Sequence, residues 1–508
     1  MARSILPVLV GAGQLIDRPA SLSDARSPLD MMQATAKASA ADAGLRPEAL
    51  ADLDVLVAVN SVGPQLLHNP PAALARRIGA ERAEKYLTVT GGNTPQMLVN
   101  HFAREIAGGR ASMVLLTGAE ALDTLAKSSK TGESLGWIEE WEDDTRSGPP
   151  QLLSEDRSGS NDTERAHGMV APIVTYPLFE NALRRHYGRT LEDHQLDIGK
   201  LFAPFTELAR DNPCAWFPIQ RSAEEIARPT AENRYIGFPY TKYMNAVMQV
   251  NQSASVLLTS DAKARELGID ESRWVYLHGH ADINDIWYVS ERINFHSSPA
   301  LELGLASAFD MARTSAAEID HFDVYTCFPA VAEITRDVLG MTADDPRLLT
   351  VTGGLPYFGG AGNNYTMHAI ATMMGRLRAA PGERGLVTAN GWYLTKHALG
   401  IYSTAPPDNP FEPHDAAAPN RRIAAMDHPE MEPRPSGSGT VETYTVMFDR
   451  SGQPEQGLVL GRLESGKRFV AQTPRDKQVL AQMIGEDPIG QTGKVICKGP
   501  RNLFEFSQ

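Results

Sequence analysis

Thr352-Gly-Gly-Leu-Pro-Tyr-Phe-Gly-Gly-Ala-Gly-Asn-Asn364 decides how this chain is organised. An apolar, strand-like stretch runs into it. A helical run from Tyr365 to about Ala380 leaves it, and the apolar strand Arg384-Gly-Leu-Val-Thr-Ala-Asn-Gly391 follows. So many glycines in one loop mean tight backbone turns and room for something to approach closely. Asn363 or Asn364 stands where a helix cap is needed, and the first N–H groups of the helix can meet an anion, a carbonyl or a developing oxyanion. The same plan occurs earlier. Tyr86-Leu-Thr-Val-Thr-Gly-Gly-Asn-Thr-Pro95 leads into a helix over 96–108 and a strand over 111–120. Strand, glycine turn, helix and strand, once in each half, predict a duplicated α/β domain.

The other elements fit around these two turns. Val8-Leu-Val-Gly-Ala-Gly13 reads as a first buried strand ending in G-x-G. Leu15-Ile-Asp-Arg-Pro19 stands where a dinucleotide fingerprint needs its third glycine, which excludes that motif. A helix over 28–43 turns Leu29, Met32, Ala36, Ala40 and Ala43 to one face, and a strand over 53–59 follows. Short apolar strands alternating with helices predict a parallel sheet covered on both faces. From 122 to 243 the pattern lapses into an irregular insertion of the kind that forms lids or substrate loops. It carries the acidic run Glu139-Glu-Trp-Glu-Asp-Asp144, read as a solvated surface, and one helix over 177–186. Regular structure resumes with strands at 255–259 and 274–280, helices at 261–267 and 298–317, and a strand over 322–327. His278, His280 and Asp282 form H-x-H-x-D, the pattern of first ligands in some metal hydrolases, but no later His/Asp set completes it. No metal is expected.

Composition sets the outer bounds. At 508 residues the chain is long enough for about two to four domains. Its 42% hydrophobic and 22% charged residues are those of a globular protein. A net charge of -14 argues against nucleic acid and against an anionic membrane surface as partners. Cys214, Cys327 and Cys497 are the three cysteines; they match no zinc or disulfide spacing, which predicts a reducing cytoplasm. No apolar run approaches the roughly 20 residues of a membrane span. Residues 405–438 have a linker's Pro, Asp, Ala and His content. After them the period becomes two, with strands at 441–448, 457–463, 467–471, 493–497 and 503–506 and a helix over 475–484. That set predicts a small barrel of OB type.

This order of motifs, from Ile5 to about Tyr402, resembles the thiolase superfamily, and within it the sterol-carrier-protein-type thiolases. Val250-Asn-Gln-Ser-Ala-Ser-Val-Leu-Leu-Thr-Ser260 and the helix behind it resemble the family's N-D-G-A-A-A strand and helix. Tyr325-Thr-Cys-Phe328 stands where that branch has H-D-C-F and other thiolases have N-E-A-F. Gly353 to Ala361 stands where the family has G-G-x-x-x-x-G-H-P, and Ala389-Asn-Gly391 where it has C-x-G. With its barrel-like tail the chain is most similar to the thiolase-like proteins of type 1.

The resemblance implies an α/β fold of two βαβαβ-type halves in five layers, α-β-α-β-α. These would be an N-terminal half at 1–121 with 244–268, a loop-domain insertion at 122–243, a C-terminal half at 269–404, a linker at 405–438 and the OB-like domain at 439–508. It implies an acyl-CoA or other lipid as ligand, no cofactor beyond that coenzyme A ester, and CoA contacts at Met248 and Ser253. It implies a homodimer paired through the strand before the nucleophile, with a monomer as the alternative because Leu87-Thr-Val-Thr90 is short and polar. The family's nucleophilic cysteine, activating histidine and acid/base cysteine fall at Gly92, Gly360 and Ala389, and the histidine of H-D-C-F falls at Tyr325. Of the reactive set only Cys327 remains. Acyl-enzyme chemistry needs the thiolate, so ordinary thiolase activity is expected to be absent.

Three readings follow. One is an acyl-CoA-handling protein of altered or lost chemistry, with an oxyanion-type loop at Gly359, Gly360 and Asn363 and a donor at Tyr325. Another is a carbon–carbon lyase of retro-aldolase type, using Tyr325, Tyr357 or Tyr365 as acid and base. The third is a non-enzymatic binder of CoA esters or lipids. Lys396 and His397 are expected at the surface, and His368 in the packing of the helix behind the glycine turn.

Overall fold

The computed structural model describes residues 5–63, 68–137 and 148–507. The acidic run Glu139–Asp144 lies outside the described residues. The first sheet draws on β1 (Pro7–Ile16), β2 (Val55–Ala58), β3 (Glu84–Thr88), β4 (Met113–Ala121), β5 (Gln151–Leu153), β8 (Asn251–Ser260), β9 (Val275–Asn284), β10 (His321–Asp323), β11 (Arg384–Gly391) and β12 (Lys396–Ser403), with β6 (Tyr235–Gly237) and β7 (Tyr240–Thr241) forming a hairpin elsewhere. Its ten strands run β10-β11-β12-β9-β1-β8-β4-β2-β3-β5. The helices that position the site are α1 (Pro28–Asp42), α2 (Thr94–Ala107), α3 (Pro172–His186), α4 (Leu191–Asp211), α5 (Pro299–Ala312), α6 (Pro329–Val338) and α7 (Tyr365–Ala379).

Duplication is visible in the strand order. One half reads β1-β8-β4-β2-β3. The other reads β9-β12-β11-β10 and continues to residues 349–351, where Val324 N donates to Leu349 O at 2.8 Å. The halves touch through the pairs Val8–Tyr276 and Leu9–Val275. Helices α2 and α7 lie between them and contact strands of both, while α1 and α5 cover the outer faces. These are the five layers expected.

The expected parallel sheet is corrected. Only β2–β3, β2–β4, β3–β5 and β10–β11 are parallel; β1, β4, β8, β9, β11 and β12 meet antiparallel. Strands buried on both faces are apolar throughout whatever their direction, so composition does not separate the two. β12 joins β11 through residues 392–395, a connection short enough only for antiparallel neighbours. Trp392 (φ 57°) and Leu394 (φ 56°) take left-handed backbone there. The helix predicted at 177–186 begins a turn earlier, at Pro172. Pro177 lacks the N–H that would bond Ile173 O, and that carbonyl packs against Gly237, where a Cβ would stand 2.3 Å from it.

The C-terminal region follows its sequence pattern. β13 (Ser436–Phe448), β14 (Pro454–Leu463), β15 (Arg468–Gln472), β16 (Thr492–Lys498) and β17 (Arg501–Phe506) run β14-β15-β17-β16-β13, and β13–β14 pairing closes the barrel. Two boundaries move. β13 starts inside the expected linker, and the hairpin β6–β7 of the insertion joins the barrel at Gly237–Met447. Residues 405–438 are not a free linker either. Phe411 stacks on His280 at 5.0 Å, and Ile423 is buried against Ile283, Ile286 and Ala300. Among the described residues, no helix is long and apolar enough to cross a membrane.

Candidate functional site

The two glycine turns meet at one end of α2 and α7. Asn363 and Asn364 do not cap α7 with their side chains. Asn363 instead ties the turns together: its Oδ1 accepts from Gly91 N at 3.0 Å and its Nδ2 donates to Asn60 O at 2.7 Å. Asn364 Nδ2 donates to Gly118 O at 2.8 Å, and Thr366 Oγ1 donates to Gly92 O at 3.1 Å. A short amide reaches across the layer because the opposing residues are glycines. A Cβ on Gly118 would stand 2.5 Å from Asn364 Oδ1.

Below the second turn lies a carboxylate that the sequence reading missed. Asp323 ends β10, fully buried. It accepts from Thr350 Oγ1 (2.9 Å), Val351 N (3.0 Å), Thr352 N (3.2 Å), Thr352 Oγ1 (3.1 Å) and the Tyr365 hydroxyl (3.1 Å). Burial outweighs these bonds and pushes its carboxyl up to about 6. Tyr365 is thereby held by Asp323 and Thr352 rather than offered to a ligand. Glu120, at the end of β4, is a second missed group. It accepts from Ser61 Oγ (2.6 Å) and Val62 N (2.8 Å), sits against Gly362, and is pushed up to about 7 by burial. An acidic residue closing an apolar strand is the signal that could have found both.

Tyr325 is the residue aimed at the first turn. A Cβ on Gly92 would stand 2.1 Å from Tyr325 Oη, 2.6 Å from its Cζ and 2.7 Å from Asn390 O. The phenol therefore fills the space of a side chain at position 92. Its ring lies edge-on to Tyr365 at 5.7 Å, and burial raises its pKa above the ordinary value. Cys327 is buried, its thiol pushed up to about 12 by burial. Asn390 Nδ2 lies 3.8 Å from Cys327 Sγ and donates to Tyr176 Oη at 2.7 Å. Tyr357 is buried, with a hydroxyl that has no partner among the described residues. Ala389 lies within β11, paired with Ala398.

The oxyanion expectation is corrected for the groups already engaged. Gly360 N donates to Val247 O at 2.9 Å, and the Asn363 amide is spent on Gly91 and Asn60. Gly359 takes a φ of 114°, and a Cβ there would meet Gln252 Oε1 at 2.7 Å. Position 360 is roomier, its nearest contact for a Cβ being Val247 O at 3.3 Å. The expected CoA contacts separate. Met248 is 51% exposed, whereas Ser253 is fully buried and hydrogen-bonded to Gly118 O and Thr35 Oγ1. A strand alternates its faces, and Ser253 faces α1.

The surface placement of Lys396 and His397 is also corrected. Both open β12. Lys396 Nζ donates to Thr90 O at 2.7 Å, and burial pushes it down to about 8. His397 is 3% exposed, its Nε2 3.1 Å from Leu394 O, and burial pushes it down to about 4. His368 is packed as expected, fully buried with Nδ1 2.9 Å from Gln14 Oε1.

His278, His280 and Asp282 bond to Ala405 O, to His414 N and to Asn100 Nδ2. Among the described residues, Glu180, His194 and Glu333 could meet at an ion, their ligand atoms within 4.8 Å of one another. His194 Nε2 already lies 2.5 Å from Glu180 Oε1, Tyr240 donates to Glu180, and Arg189 lies 3.8 Å from Glu333. The guanidinium supplies the positive charge there, and the cluster joins the insertion to α6.

β3 is not the edge of the first half. β5, from the insertion, pairs with β3 through Tyr86–Gln151, Leu87–Leu152 and Thr88–Leu153. β3 is thus paired on both sides, and β5 is the terminal strand of the sheet.

Comparison with known proteins gives three findings. The model of the thiolase-like protein type 1 additional C-terminal domain matches residues 420–500. The chain is similar to the crystal structure of a monomeric SCP2-thiolase-like protein type 1 from Mycobacterium smegmatis, at 34% identity over 99% of both chains and a TM-score of 0.85. Its fold is similar to an Ltp2-ChsH2(DUF35) aldolase (18% identity, 78% of this chain and 97% of that one, TM-score 0.59). It is also similar to an acetyl-CoA acetyltransferase from Syntrophomonas wolfei (15%, 79% and 100%, 0.56). No curated protein matches.

Proposed function

Since the chain belongs to the SCP2-thiolase-like proteins of type 1, we propose that it binds an acyl-CoA or related lipid ester where the two glycine turns meet, without ordinary thiolysis. One observation carries this reading. The space of a side chain at position 92, the family's nucleophile position, is taken by the Tyr325 hydroxyl. Neither Gly92 nor Ala389 supplies a thiol, and Cys327 is buried and protonated at neutral pH. Thiolate attack from the family's positions has no group to perform it. Thiolytic release of acetyl-CoA from a 3-ketoacyl-CoA tests the proposal, and turnover near roughly one per second would refute it. A calorimetric and thermal-shift series with CoA, acetyl-CoA and long-chain or steroid acyl-CoA esters tests binding, since a ligand of the native state raises the unfolding midpoint by mass action.

A second reading is favoured by the chemistry of Tyr325. Its hydroxyl makes no hydrogen bond among the described residues. A neutral phenol so placed is a proton donor for retro-aldol cleavage of a carbon–carbon bond. Release of an aldehyde or ketone from a β-hydroxyacyl-CoA, lost in Tyr325→Phe, is the expected result; no release from any such ester would overturn it. We further propose that the chain is a monomer, because β5 occupies the strand edge through which the family pairs. Three unpaired cysteines are consistent with a reducing compartment such as the cytoplasm.

A further inference from the structure

A cavity of about 590 Å³ lies against the first glycine turn, on the flank that Gly91 rather than Gly92 presents. Asn93, Met97, Trp287, Lys396 and His397 are in its wall. Lys396 reaches it past two glycines. A Cβ on Gly91 would stand 2.6 Å from Nζ, and a Cβ on Gly391 would stand 2.9 Å from Cε. Beyond its bond to Thr90 O, Nζ has no hydrogen bond or ion pair among the described residues. An ammonium has three donors, so most of its capacity is unspent.

Asn93 Oδ1 is the matching observation. Asn93 is 6% exposed, lines the same cavity, and its Oδ1 has no partner among the described residues. It lies 2.4 Å from the same point on Gly91 that Nζ approaches. A buried acceptor without a donor costs about 1–3 kcal/mol, so this atom is poised for one that a ligand brings. The Trp392 ring centroid lies 5.9 Å from Nζ, with its face toward the nitrogen.

We propose that Lys396 captures the carbonyl carbon of a small aldehyde or ketone held in this cavity, with Asn93 Oδ1 accepting a hydrogen bond from the hydroxyl so formed. The nitrogen lone pair makes the C–N bond, and the carbonyl π pair moves to oxygen. That oxygen takes the proton the nitrogen gives up. With one further proton from solvent, the nitrogen then expels the oxygen as water and leaves a protonated imine. One ammonium and one carbonyl give one iminium and one water, so no oxidant or reductant is consumed. Burial favours the free amine that the step requires and outweighs the pull of the Asp156 carboxylate toward the ammonium. The proposal stands apart from acyl-CoA binding and from Tyr325.

The test is reductive trapping on the full-length native protein, with propanal as probe and cyanoborohydride as the hydride source at pH 8. A lysine titrating near 8 holds about 100-fold more free amine at that pH than an ordinary one. After allowance for its partial burial, Lys396 is expected to label at least about tenfold faster than any other lysine, as read by peptide mass mapping. Lys396→Met should remove that adduct alone. Asn93→Leu fills the cavity and leaves the amine, and should slow the adduct. Labelling of Lys396 no faster than surface lysines, or a rate unchanged by Asn93→Leu, overturns the proposal. Should Lys396→Met fail to fold, the native labelling map and Asn93→Leu decide it.

Discussion

Alanine at position 92 probes the site most directly. Gly92 does not take a left-handed φ, so the backbone accepts alanine and the cost arises from contacts alone. The new methyl would stand 2.1 Å from Tyr325 Oη, 2.6 Å from its Cζ and 2.7 Å from Asn390 O. Carbon contacts settle at about 3.5–4.0 Å, so the phenol must withdraw by more than about 1 Å. Tyr325 is held edge-on against Tyr365, and Asn390 O belongs to β11, so neither yields freely. Overpacking of this kind costs about 1–3 kcal/mol, and Gly92→Ala is expected near the top of that range. Tyr325→Ala alone should cost about 3–5 kcal/mol for the emptied ring volume. The double variant should then cost less than the sum by about 1–3 kcal/mol, because the methyl enters the space the ring left. Urea unfolding of the four proteins measures the cycle. A loss below about 0.5 kcal/mol for Gly92→Ala, with additivity in the cycle, would show that the phenol does not occupy that space. Gly92→Cys should pay the same penalty and gain no thiolysis.

Glu120 has its folded pKa raised to about 7 from an ordinary 4.5. The native state then holds the proton that the unfolded chain releases, so stability falls as pH rises from 4.5 through 7. The loss is about 3 kcal/mol at roughly 1.4 kcal/mol per pH unit, and Glu120→Gln should flatten the urea midpoint across pH 5–8 relative to the wild type. Arg468 is 1% exposed, 2.6 Å from Glu442 and hydrogen-bonded to Ser290 O and Arg292 O, which fastens the barrel to the C-terminal half. Glu442 keeps Arg462 as a partner, so the loss is that of buried carbonyls left without a donor, about 1–3 kcal/mol; Arg468→Met should lower stability by that amount and speed proteolysis within 405–438. Leu152→Pro should weaken the β3–β5 pairing, and light scattering should then give a larger mass than for the wild type.

The duplication was legible in the sequence because each half repeats strand, glycine turn and helix, and glycine is needed wherever backbones approach closely. The barrel was legible because the period changes to two after residue 438. That Gly92, Gly360 and Ala389 stand at the family's reactive positions rests on motif order in the sequence alone. Strand direction was not legible, since strands covered on both faces look alike, and neither was the end of the linker at β13. Asp323 and Glu120 were hidden as single acidic residues whose partners lie 27 to 59 positions away. Lys396 and His397 seemed destined for solvent because they follow a turn, yet they open a strand that the second half buries. What a side chain at position 92 would meet is set by residue 325, on the other half of the molecule. The order of side chains along the chain determined the layers, whereas which cation is desolvated, which donor is already spent and which space is filled were decided only when the two halves closed on each other.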